Sequence, residues 1–468
     1  MNGLLTLLSL VIGALVVFAV PPLVTPFQAD YGVVSVFDTS KAVLLCSALA
    51  LVAGWYSSKQ GVHGRFLLRV FIAALLIRVV LGTVIFAFKG QEFFGGDALT
   101  YDFFGWSQLL AWGGDRYQAS LVERFVGGSG GSGWGMVYLV AAVYGMLGRN
   151  MLAIQFVNAV LGAVTATIIF LCAQSVFSNS RVSRLAALAV AFYPSLVLWS
   201  SQGLKDAPIV FCLAVIILAT LKLGEKLSIT YFLVLIASLF SLLSLRFYVF
   251  YMICVAIGGA FIIGMRSITP LSFARQFLLV ILLGLGLMYL GVVRYADKQI
   301  ATYGTLQSVQ RSRQNASTSA ESGFGRDVDV STTSGAISTI PVGLLYLLFA
   351  PFPWQLASLR QSITLPEMVA WWASFPMLVL GLWFSIKYRL RMISPILIFT
   401  VMLSLAYSVF QGNVGTAYRQ RAQLLVFYFI FVAVGYVLML ERREERKRRE
   451  LAEKEAFATA TRLAVGRR

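Results

Sequence analysis

The chain alternates long apolar runs with short polar breaks. Gly3–Val24, Phe66–Phe88, Met151–Val176 and Gln423–Leu440 are each almost free of charge. At the helical rise, crossing the hydrocarbon of a bilayer takes about 20 residues. No water is present there to satisfy a backbone N–H or C=O, so each run has to bond within itself and is expected to be helical. The short alternating strands of a membrane barrel are missing from the pattern. The expected fold is all-α, a polytopic transmembrane bundle of about 12 spanning helices with interfacial helices on the outer face.

Composition agrees with that pattern. Of 468 residues 59% are hydrophobic and 12% charged, and mean hydropathy is +0.81; soluble domains carry about 25% charged residues. Cys46, Cys172, Cys212 and Cys254 all fall inside apolar runs, as small core residues rather than disulfides or metal ligands. A single histidine, His63, in a polar break, argues against a histidine metal site or a histidine triad. Met1–Val24 lacks a basic leading segment and ends at Pro21-Pro22, and so is expected to be a first membrane helix.

The net charge of +18 does not point to nucleic acid. Basic residues are spread among short breaks and gathered in one tail, where Glu441–Glu450 holds six Arg or Lys. Such a tail reads as a cytoplasmic topology signal that touches anionic membrane lipid. Short basic breaks lie at Lys59–Arg69, Arg181–Arg184, Lys222–Lys226, Arg266–Arg275 and Lys387–Arg391. With these and the tail inside, both termini are cytoplasmic, and Thr25–Ser40, Gly90–Gly133, Arg294–Ile340 and Gln411–Arg421 fall outside. This alternation requires Trp134–Gly148 to lie in the outer interface, and the proline-broken Pro341–Leu356 suits the same place. The expected divisions are membrane helices over 1–89, an outer loop with amphipathic helices over 90–150 and a transmembrane core over 151–293. An outer loop and interfacial segment over 294–365, membrane helices over 366–440 and the basic tail over 441–468 complete them.

Charges at the outer face are the candidates for chemistry, because an ionisable group near lipid is costly to keep. Asp97 opens an amphipathic stretch with Phe103, Trp106 and Leu110 on one face. It fits either a helix N-cap or a general base. Tyr101 falls one turn on, on the same face; Asp102 is a second carboxylate facing elsewhere. Lys205 and Asp206 occupy a short outer turn, where Lys205 can pair with Asp206, cap a helix or neutralise a phosphate. Arg419 and Arg421 lie outside against the charge trend, either snorkelling to headgroups or gripping a phosphate with the paired donors of a guanidinium. Arg246 and Arg294 are weaker candidates, and the 294–340 loop adds Arg311, Arg313, Arg326, Asp327 and Asp329.

From about Gly95 to Leu223 the sequence resembles the GT-C superfamily of membrane glycosyltransferases, most of all the branch similar to dolichyl-phosphate-mannose protein mannosyltransferases and aminoarabinose transferases. The resemblance is carried by the order Asp97, Asp102–Trp112, Trp134–Gly148, Met151–Val176, Arg181–Arg184, Tyr193-Pro194 and Asp206. It departs from the family in having one acid at Gly96-Asp97-Ala98 where a pair is common, and in two preceding helices, Gly3–Val24 and Lys41–Tyr56. The resemblance implies transfer of a sugar from a polyprenyl-phosphate donor to a glycan, lipid or protein acceptor on the extracytoplasmic face of a bacterial inner membrane. Asp97 is then the base, with Asp102 as the second catalytic acid. Lys205, Arg419 and Arg421 hold the donor phosphate, Tyr101 supports, and Asp206 orients Lys205. No cofactor is expected, since too few carboxylates cluster for a divalent ion. The alternatives are a polymerase or ligase using a polyprenyl-pyrophosphate donor, and a transporter of lipid-linked glycan. A transporter usually places its charges near the bilayer midplane, whereas the charges here collect at one face.

Overall fold

A computed structural model describes residues 11–20, 35–88, 96–128, 133–263, 270–289, 304–318, 322–325, 327–356 and 359–465, with isolated positions at 7, 93, 292, 299, 301 and 302. Arg294, Arg326 and half of the expected first helix, Gly3–Val24, lie outside the described residues. The described residues form helices throughout, with one isolated β-bridge between Gly323 and Asn413.

In chain order the helices are α1 (Val11–Val20), α2 (Val36–Ser58), α3 (Gly64–Ala87), α4 (Asp97–Trp112), α5 (Arg116–Gly128) and α6 (Trp134–Leu147). Then come α7 (Met151–Phe177), α8 (Ser180–Phe192), α9 (Pro194–Ser200), α10 (Asp206–Glu225), α11 (Ile229–Leu245) and α12 (Phe247–Ile263). The last are α13 (Pro270–Tyr289), α14 (Leu306–Thr318), α15 (Thr333–Phe349), α16 (Leu359–Phe410), α17 (Val414–Gln420) and α18 (Ala422–Val465).

Among the described residues six helices are long and apolar enough to cross a membrane, or seven if α8 and α9, bent by 54° at their junction, form one span. The chain is a multi-pass membrane protein. The expectation of about twelve spans is not reached by length alone, because α1, α6, α11, α12, α15 and part of α13 are apolar but have only 10–17 residues. α16 has 52 residues and would be about 78 Å long if straight. Its helical geometry fails at Arg389, inside the basic break expected as a loop, so one long element has two arms. Pro341 does not break α15, which runs through it and stops at Phe349, ahead of Pro351.

α7 and α10 are the centre of the bundle: 83% of each membrane-length window is buried, against 22% for α2 at the periphery. α7 is mostly apolar and carries Ala153, Ala159, Gly162, Ala163 and Ala166, small residues that let helices approach closely. A Cβ on Gly162 would meet Ser200 at 2.5 Å and Arg78 at 2.9 Å. Arg78, buried within α3, has a clear structural partner set. Pro194 cannot donate, so the helix break at Tyr193 leaves carbonyls of α8 open. Arg78 donates to Ala191 O at 2.7 Å, to Val190 O at 3.4 Å and to Ser200 Oγ at 2.8 Å.

Candidate active site

The site is assembled at the ends of four helices. α7 supplies its base plate: Asn158 Nδ2 donates to Gln202 O and to Leu204 O, both at 2.7 Å, pinning the turn between α9 and α10. That turn presents Lys205 and then Asp206, the first residue of α10. α4 approaches with its N-terminal end. Its N-cap is Gly96, with φ 74°, and Asp97 is the first helical residue, with no side-chain capping bond. Gly96 holds the N-cap position, so the capping alternative for Asp97 is not met, and the Asp97 side chain is half exposed.

Asp97 meets Arg419. Arg419 Nη1 donates to Asp97 Oδ2 at 2.6 Å, and Arg419 Nε lies 2.9 Å from Asp206 Oδ2. The second contact is close but out of line for a hydrogen bond, so both oxygens of the buried Asp206 carboxylate lack a donor among the described residues. Arg246 Nη2, between α11 and α12, stands 3.8 Å from Asp206 Oδ1. Asp206 thus faces two guanidinium groups and does not ion-pair with Lys205, the neighbour it was expected to orient. Burial opposes the charge on Arg419, but Asp206 and Asp97 outweigh it and hold the guanidinium above its usual value.

Lys205 Nζ has no ion-pair partner among the described residues. It lies 5.9 Å from the centre of the Tyr101 ring. Gly133, the N-cap of α6 at φ 87°, closes the same corner: a Cβ there would sit 3.3 Å from both Lys205 Nζ and Tyr101 Oη. Glycine is needed for the backbone angle and for the room it leaves beside the ammonium. Burial pushes Lys205 down to about 7, with the Arg246 charge acting in the same sense and Asp206 against it. Burial raises the Tyr101 phenol, as do the carboxylates of Asp97 and Asp206, so it remains a neutral donor.

Asp97, Tyr101, Lys205, Asp206 and Arg419 therefore converge, as does Arg246, a weaker candidate in the sequence. Asp102 and Arg421 do not join them. Asp102 is buried, accepting from Arg149 Nη2 and Tyr144 Oη, both at 2.5 Å, and so ties α4 to α6 and the start of α7. Arg421 is fully buried on the far side of α17. It donates to Leu347 O at 2.6 Å and to Ala350 O, and bracing that chain segment occupies its fork. Burial pulls its guanidinium below the usual value. Among the described residues no three of His, Cys, Asp or Glu gather in a way that could hold a metal ion.

Residues 134–290 match the family described as dolichyl-phosphate-mannose-protein mannosyltransferase. Over those residues the chain resembles that family. The match contains Lys205, Asp206 and Arg246, and it begins after Asp97 and ends before Arg419. No curated protein matches the chain. Among solved structures, the archaeal oligosaccharyltransferase AglB from Archaeoglobus fulgidus, in complex with an inhibitory peptide and a dolichol-phosphate, is similar at 14% identity and a TM-score of 0.40. The similarity covers 69% of this chain and 44% of that one, so the chain spans less than half the length of that protein.

Sequence reasoning passed over Asn158, Gly133, Arg78 and Glu367. Arg78 and Glu367 did carry a signal, since each is an ionisable residue inside an apolar run.

Proposed function

We propose that the protein transfers a sugar from a polyprenyl-phosphate donor to a glycan, lipid or protein acceptor at the extracytoplasmic face of a bacterial inner membrane. The observation that carries this reading is one convergence. A half-exposed carboxylate, Asp97, stands beside a guanidinium, Arg419, and in the same cluster an ammonium, Lys205, has no carboxylate of its own. The family match over residues 134–290 supports the reaction class.

The acceptor heteroatom attacks the anomeric carbon of the donor and gives its proton to Asp97. The bond from that carbon to the phosphate oxygen breaks, and its electron pair leaves on the phosphate. The leaving group gains negative charge as this happens, so fixed cations beside it stabilise the transition state more than the ground state. Lys205 and Arg419 are those cations. Tyr101 offers a neutral hydroxyl beside Lys205. Asp206 holds Arg419 from behind and faces Arg246 with its other oxygen.

Without donor, Asp97 occupies one arm of the Arg419 fork. A phosphate competes for the same donors, because a guanidinium pairs with either anion in the same planar manner. Donor arrival draws Arg419 to the phosphate and releases Asp97 to take the acceptor proton. Asp97→Asn tests both steps at once: the competing anion and the base disappear together. The variant is expected to bind donor at least as tightly as wild type and to lose turnover.

A further inference from the structure

Arg419 sits on a helix of only seven residues, α17. Two turns of helix have no stability of their own in isolation, so contacts from the rest of the protein decide which way Arg419 points. The ends of α17 are fixed. Asn413 caps its start, accepting from Gly415 N at 2.8 Å, and is held in turn by Ser322 Oγ at 2.8 Å. Arg421 anchors the other end on the carbonyls of Leu347 and Ala350. These ties hold the two ends of the helix on either side of Arg419.

A further contact acts at the residue next to Arg419. Tyr418, next to Arg419, donates from its hydroxyl to Glu367 Oε2 at 2.8 Å. Successive helical residues point about 100° apart, so a Tyr418 held against α16 turns Arg419 away from α16 and toward Asp97 and Asp206. Glu367 is 6% exposed and lies within a membrane-length helix, where a carboxylate is costly to retain without a role. Trp199 of α9 stands edge-on to the Tyr418 ring at 6.3 Å. In the unliganded protein Asp97 helps aim Arg419, but on the proposed mechanism that tie is released when donor binds. The Tyr418–Glu367 tie does not involve the phosphate and persists.

We infer that Glu367, through Tyr418, is a positioning residue that keeps the Arg419 fork directed at the donor phosphate once Asp97 has been released. This rests on the donor-phosphate role of Arg419 proposed above. Neither Glu367 nor Tyr418 touches the substrate.

The test is a double-mutant cycle read by binding of polyprenyl phosphate to the purified full-length protein at one fixed pH. Tyr418→Phe removes one hydroxyl and keeps the ring. It is expected to weaken binding about tenfold, the loss of one well-aimed charge-assisted contact. Glu367→Gln keeps an acceptor oxygen and the side-chain volume, and is expected to stay within about threefold of wild type. Arg419→Lys keeps the charge beside Asp206 but has no fork to aim. In that background Tyr418→Phe is expected to add no more than about twofold. An equal loss in both backgrounds, or no loss from Tyr418→Phe in the wild-type background, overturns the inference while leaving the phosphate role of Arg419 standing. Wild-type binding by Arg419→Lys overturns the fork's role on the phosphate, and the inference with it.

Discussion

Arg419 Nη1 donates to Asp97 Oδ2 at 2.6 Å across 322 residues of sequence, joining the start of α4 to α17. The same guanidinium reaches Asp206 from its Nε edge. A largely buried guanidinium is costly unless it is paired. Here two carboxylates compensate it, and one of them is open enough to be displaced.

The first prediction separates two arginines that lie two positions apart. Arg419→Lys is expected to raise the donor KM about tenfold with thermal stability retained, because the charge stays and the fork is lost. Arg421→Ala strands buried carbonyls of Leu347 and Ala350, and is expected to destabilise the protein by about 1–3 kcal/mol. Thermal unfolding and donor titration of both variants check this. An Arg421→Ala protein with unchanged stability and a tenfold higher donor KM would put Arg421 on the phosphate instead.

The second concerns pH. Lys205 is driven down to about 7, chiefly by burial. It carries its charge below that pH and loses it above. A sugar phosphodiester keeps one negative charge throughout, so the attraction is present below pH 7 and fades as pH rises. Donor affinity is expected to fall by up to about tenfold per unit above pH 7, where binding must take up a proton. Lys205→Arg stays charged and is expected to flatten the profile. Equal slopes in the two proteins would remove Lys205 from the phosphate.

The third concerns topology. Ala119, exposed on α5, is expected outside, and Ala452, exposed on the tail of α18, inside. Single-cysteine variants at these positions are to be treated with a membrane-impermeant thiol reagent on intact cells. Ala119→Cys is expected to react and Ala452→Cys to remain protected until the cells are opened. Labelling of Ala452→Cys from outside reverses the orientation and moves the site to the other face.

Much of this arrangement was readable as residues out of place. Asp97, Lys205, Asp206 and Arg419 are charges at the ends of apolar runs, and the cost of such charges marks them. Their pairing was not readable, since nothing local connects Asp97 to Arg419 or turns Arg421 away from it. That division comes from the two sides of α17, a seven-residue helix whose direction depends on Glu367, Leu347 and Ala350. The long spans were legible where the apolar run matched the membrane, as in Met151–Phe177. The span count was not, because several apolar helices are short and because α16 carries its basic break as a bend at Arg389 rather than a loop. Arg78 and Asn158 were hidden for another reason: they satisfy backbone carbonyls at a helix break and a turn, and neither feature shows in a hydropathy pattern.

On the proposed mechanism Asp97 is the base and Arg419 trades it for the donor phosphate. The most direct measurement is of purified Asp97→Asn protein given a polyprenyl-phosphate sugar and its acceptor, with donor binding and turnover read separately. Asn keeps the shape of the side chain and removes its basicity and its charge. Loss of a general base costs roughly 10²–10⁴ in rate. The account predicts donor binding equal to or tighter than wild type and turnover slower by at least about a hundredfold. Near-wild-type turnover would contradict it.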